Sequence, residues 1–156
     1  MMTSIEPNQL SQASNIITIT VQVAELFTSP YPPKNNNAIN DYTKMTSGGN
    51  TLGYGEPKDS FITDVIKNGA LLWNIKFEDN TQRRDYSLDL VCIAEKKSSD
   101  YDFFDFDPLL PLGNIILATP TKGNIDNIYK YNIIFSITDI YGDLQTYVID
   151  PQLRMT

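Results

Sequence analysis

Residues 66–77 read Ile-Lys-Asn-Gly-Ala-Leu-Leu-Trp-Asn-Ile-Lys-Phe and contain Trp73, the single tryptophan of the 156-residue chain. Leu71, Trp73, Ile75 and Phe77 alternate with Leu72, Asn74, Lys76 and Glu78. Period two of this kind is the signature of a strand with one buried face, so Trp73 belongs to a core. Immediately upstream, Phe61, Thr63 and Val65 alternate with Ile62, Asp64 and Ile66, and Lys67-Asn68-Gly69 separates the two runs. Asn-Gly between alternating runs favours a tight reversal, and the pair reads as a hairpin.

Further strands follow outward from that pair. In residues 15–27, Ile17, Ile19, Val21 and Val23 share one face, with Thr18, Thr20 and Gln22 on the other. Residues 28–41 carry three prolines and four asparagines, which oppose both helix and ladder pairing and predict an exposed loop. Residues 42–46 suggest a short edge strand, and 47–57, with four glycines, a turn-rich connection. In residues 86–95, Leu88, Leu90 and Cys92 fall on one face, which makes Cys92 a small core residue. Residues 96–113 read as a loop or broken strand and 115–119 as a short strand. Residues 128–138 form a long strand with Tyr129, Tyr131, Ile133, Phe135 and Ile137 in register, and 144–149 a closing hairpin strand ended by Pro151. No segment shows a helical period. The expectation is an all-β fold: a single-domain antiparallel β-sandwich of seven to eight strands with Greek-key crossings, covering 15–156 behind a flexible arm at 1–14. Trp73 should lie between the sheets with Phe77, Leu90 and Phe135.

Composition narrows the function classes. The formal charge is −7, which repels nucleic-acid phosphates, so no nucleic-acid partner is expected. The close basic pairs Arg83-Arg84 and Lys96-Lys97 sit beside acidic or polar residues, as on a solvated loop. One cysteine excludes an intrachain disulfide and suits a reducing compartment. The first 14 residues lack the basic and apolar regions of a signal peptide, which makes cytoplasmic synthesis the expectation. No run approaches the ~20 apolar residues of a membrane span, so no membrane partner is expected.

The chain has no histidine, which removes histidine triads, histidine metal sites and imidazole acid–base schemes. Two-carboxylate glycoside hydrolysis by Asp105 and Asp107 is conceivable if the segment is extended, but nothing marks either acid as buried and protonated. The same run, with Asp100, Asp102, Asp105 and Asp107, could offer oxygen ligands to calcium. It lacks the glycine and the glutamate of an EF-hand loop, and a solvated acidic loop with inward aromatics is the plainer reading. No metal and no cofactor are expected. Tyr31, Tyr42 and Tyr54 lie in or beside the long loops, where tyrosine and asparagine commonly contact sugars or proteins. Tyr31, Asn35, Tyr54 and the acidic run are therefore candidates for binding a glycan or other small ligand. The alternative is that the rings cap the sandwich ends as satellite core.

Several stretches, in order, resemble the AidA/PixA family of bacterial inclusion-body proteins. They are ITITVQV at 17–23, SPYPPKNNNAI at 29–39, SGGNTLGYG at 47–55, GALLW at 69–73 and YNIIFSITDIYGDLQTYVIDP at 131–151. Tyr31, Pro32, Asp150 and Pro151 match the family's pattern, whereas Ala24, Ala70 and Ile149 depart from it. The resemblance implies a small non-enzymatic all-β protein without catalytic residues, made in quantity by bacteria under population-density or growth-phase control. It further implies self-assembly, as a homo-oligomer or in cytoplasmic inclusions, and a link to host association.

Overall fold

The computed structural model describes residues 15–29 and 36–156. The elements are β1 (Asn15–Val21), α1 (Val23–Phe27), α2 (Asn36–Asp41), β2 (Thr43–Ser47), β3 (Asn50–Leu52), β4 (Ile62–Val65), β5 (Leu71–Phe77), β6 (Tyr86–Glu95), β7 (Ile115–Ala118), β8 (Ile128–Asp139), β9 (Leu144–Ile149) and β10 (Gln152–Met155). One sheet runs β3-β2-β1-β5-β7 and the other β4-β10-β8-β6, with β9 also paired to β8. Their inner faces pack together into a sandwich, and from β3 to β8 every connection crosses between the sheets.

The sheets are mixed, not antiparallel as expected, because β1 runs parallel to β5 and β4 parallel to β10. Among the described residues there are ten strands instead of seven or eight. Residues 47–57 contain β3, β2 is flanked by β3 and β1 instead of lying at an edge, and β10 continues the chain past Pro151. The hairpin expected at 61–77 does not form, since β4 and β5 belong to opposite sheets. Asn68 adopts φ +66° and its N–H donates to the Pro120 carbonyl at 2.7 Å, which carries the chain across the core as an arch. Inward alternation is equally satisfied when two strands share a sheet or face each other across the interior, so the pattern alone cannot separate the two.

Two short helices also depart from the strand-only reading. Val23 leaves the strand and is buried with Leu26, one helical turn apart, in α1; Ile39 is buried from α2 within the asparagine-rich segment. In β6 the register slips against β8: Leu90 faces Phe135, Cys92 faces Ile134, and Val91 is the extra residue of a bulge. Ile93 therefore takes the inner face, and Cys92 is a half-buried residue of the outer face, not a core residue. The expected arm at 1–14 lies outside the described residues.

Trp73 is fully buried between the sheets, with Leu90 and Phe135 also in the core and Phe77 packed against it half-buried. Its indole N–H donates to the Tyr131 hydroxyl across the interior at 3.2 Å. The ring meets Tyr131 and Phe104 edge-on, at centroid distances of 5.9 and 6.2 Å, and Tyr129 stacks on both Tyr131 and Phe103. Phe103 and Phe104 come from the acidic run, whose aromatics do turn inward there, while Phe106 stays exposed. At Gly123, φ is +99° and an added Cβ would lie 2.8 Å from the Phe103 ring, so only glycine fits this close approach.

Residues 109–112 reach the edge strands of both sheets, since Leu109 bridges to Ile93 of β6 and Leu112 to Ile115 of β7. At Ile93 the bridge occupies backbone groups that would otherwise be free to pair with another chain.

Two outcomes follow from this core. Trp73→Ala should destabilise the fold by about 3–5 kcal/mol, read as a lower urea midpoint with unchanged slope. Burial raises the phenols of Tyr129, Tyr131 and Tyr147, the last to about 12. The folded chain thus holds these protons more tightly than the unfolded chain, and the stability this gives below pH 10 is lost as pH rises further. Tyrosinate absorbance should show these three phenols ionising only with alkaline unfolding; their ionisation in a still-folded protein near pH 10 would contradict the packing.

Candidate functional site

The glycine-rich segment after β3 is organised by a lysine that its neighbours do not announce. Gly55 takes φ +84°, and its N–H donates to the Asn40 carbonyl at the end of α2 at 2.8 Å. The Glu56 carboxylate accepts the Gly53 N–H at 2.6 Å. Lys58, 1% exposed, then sends its ammonium into the pocket of carbonyls so formed. It donates to Glu56 O at 2.7 Å, Asn40 O at 3.2 Å and Gly53 O at 3.3 Å. All three donors of the ammonium are satisfied, one by a helix C-terminus where a cation is electrostatically favoured. Burial pushes its pKa down to about 8, with Glu56 and Asp41 acting in the opposite direction.

Tyr54 belongs to the same corner. The Lys44 ammonium lies 5.8 Å from its ring centroid, and its hydroxyl is buried with no hydrogen-bond partner among the described residues. Burial raises its pKa first, and the Glu78 and Glu25 carboxylates add to the shift. Tyr42 packs half-buried against the core, as the satellite-core alternative has it. Tyr31 and Asn35 lie outside the described residues.

The acidic run sits at the other end of the sandwich. Thr121 and Lys122, just past the β7 residue that pairs with the start of β5, donate through their N–H groups to the Phe103 carbonyl. Tyr54 lies near Glu78, just beyond the end of β5. A seven-residue strand, on the order of 20 Å, therefore separates the two candidate regions, and Tyr54 and the run do not converge.

Within the run each described carboxylate contact has a separate target. Asp102 accepts the Phe104 N–H and pairs with Lys122 at 3.6 Å. Asp105 accepts the Thr121 hydroxyl, and Asp107 the Glu95 N–H. Asp100 is exposed. Among the described residues no group of three or more acidic or thiol side chains is placed to hold a metal ion, so the suggested calcium set is not assembled. Asp105 and Asp107 engage different segments.

A third feature escaped the sequence reading. A shallow depression lies between β5, the 3-10 turn at Asn80–Arg84 and β6, lined by Ile75, Lys76, Phe77, Asn80, Arg83, Leu88 and Asn114. Asp79 caps that turn by accepting the Thr81 N–H and hydroxyl, which orients the segment. The sequence alone places Arg83 on a solvated loop; the fold brings it beside β5 and Asn114.

The lysine cage sets the prediction of this site. Lys58→Met should remove the ammonium from three carbonyls, leaving Glu56 O without a donor among the described residues while Asn40 O keeps the Gly55 N–H, and lower stability by ~1–3 kcal/mol. Because the folded chain holds the Lys58 proton less tightly than the unfolded chain, the wild-type advantage over Lys58→Met should be flat below pH 8. It should grow as pH rises from about 8 toward the ordinary 10.5. Urea unfolding of both proteins across that range checks the sign.

No family model matches the sequence, and no curated protein is similar to it. Among solved structures, the chain is similar to the crystal structure of a PixA inclusion body protein from Burkholderia cenocepacia. The likeness covers 90% of this chain and 95% of that one, with a TM-score of 0.58 at 8% sequence identity. At that identity the shared property is the fold. No helix among the described residues is long and apolar enough to cross a membrane.

Proposed function

We propose that this chain is a non-enzymatic bacterial inclusion-body protein of the AidA/PixA type, which acts by self-assembly in the cytoplasm. Its production would follow growth phase or population density, and its role would lie in host association, as in the family that its sequence resembles. The observation that carries this reading is the fold likeness to a PixA inclusion body protein over 90% of the chain, joined to the order of the quoted motifs along the chain. Surface chemistry is compatible with it. Phe106, Leu112 and Tyr141 are each more than three-quarters exposed, although aromatic and aliphatic side chains of this size are ordinarily turned inward.

The glycan-binding reading gains nothing from the geometry. Tyr54 buries its hydroxyl, and the acidic run lies at the far end of the sandwich.

Overproduction in bacteria tests the proposal. The expected result is a particulate fraction made of natively folded chain, together with light scattering from the purified protein that grows with concentration. A strict monomer at the highest attainable concentration, with all of the chain in the soluble fraction, would count decisively against it.

A further inference from the structure

The turn between β8 and β9 is rigid and apolar at once. The Asp139 carboxylate accepts the N–H groups of Tyr141 and Asp143, both at 2.9 Å, and Gly142 at φ +84° closes the turn with an N–H bond to the Asp139 carbonyl at 3.1 Å. This frame projects Ile140, Tyr141 and Leu144 outward at 64%, 83% and 60% exposure. An aromatic anchor held by its own backbone network loses little conformational freedom on docking, which is the property of interface hot spots.

The depression beside Arg83 offers matching chemistry. Phe77 and Leu88 line it together with Asn80 and Asn114, whose side-chain amides can hydrogen-bond a phenol. Lys76 and Arg83 at its rim have no ion pair among the described residues, and neither has Asp143 next to the exposed tyrosine. Copies of a chain with charge −7 repel one another, so a contact between them is favoured where a cation of one copy meets a carboxylate of the other.

We propose that the β8–β9 turn of one copy docks in the Phe77–Arg83–Leu88 depression of a second copy, with Tyr141 in the depression and Asp143 against Arg83. This names the contact surface for the self-assembly proposed above and rests on that reading. It makes the turn the specific element of the contact and Arg83 its electrostatic partner.

Sedimentation of the full chain across a concentration series, at low and moderate salt, tests the pairing. Tyr141→Ser and Arg83→Glu should each weaken association by about tenfold or more, while circular dichroism and urea midpoint stay unchanged, because both side chains are exposed. Arg83→Glu combined with Asp143→Lys should restore association, since the reversed pair regains its attraction. Single variants that associate like the wild type would overturn the docking and leave assembly itself standing. Loss in the single variants without recovery in the double variant would overturn the pairing of Asp143 with Arg83. A wild type that never associates would remove the assembly reading and this contact together.

Discussion

The hydrogen bond from the Trp73 indole to the Tyr131 hydroxyl is the constraint on which the two sheets depend. A buried indole N–H left without an acceptor carries a penalty of about 1–3 kcal/mol, and the acceptor here lies on the opposite sheet. The sheets therefore cannot slide past each other without breaking the bond or separating the edge-on rings. Tyr129 and Tyr131, two residues apart on β8, continue the contact along the inner face, and Phe103 and Phe104 close it from the long 96–113 connection. A loop that looks polar and acidic in sequence is thus held by its two central aromatics.

What could be read directly from the chain was whatever depends on inward alternation. The strands at 71–77, 128–138 and 144–149 and the burial of Trp73, Leu90 and Phe135 all follow from period two. Sheet membership was not legible, because β4 and β5 satisfy the same alternation as an arch that they would as a hairpin. The choice rests on contacts distant in sequence, such as Asn68 N–H to the Pro120 carbonyl. Nor was the bulge at Val91 legible: one inserted residue reverses the faces of Cys92 and Ile93, and the composition of β6 hardly changes in the process.

Functional features were less legible than the fold for a related reason. Lys58 lies between Pro57 and Asp59, in a context that suggests a solvated surface, and its role exists only because Asn40, Gly53 and Glu56 turn their carbonyls toward one point. Backbone carbonyls leave no trace in the residue alphabet. Conversely, the acidic run carried an obvious pattern of side chains, yet its described carboxylates bond to Phe104, Thr121 and Glu95 individually. Spacing in sequence marks shared chemistry only where the backbone is regular, and residues 100–107 lie in neither helix nor strand.

The same physics explains how a fold can match over nine-tenths of its length at 8% identity. A sandwich requires apolar residues at alternate positions and satisfied polar groups at its few crossings, and many residues meet each requirement. Outward positions are free of that constraint. Surface positions can therefore change while the core stays put. In this chain the rigid turn at 139–143 and the cation-bordered depression at 76–83 are features of that kind: neither is required by the core, and each presents chemistry that the folded monomer leaves unused.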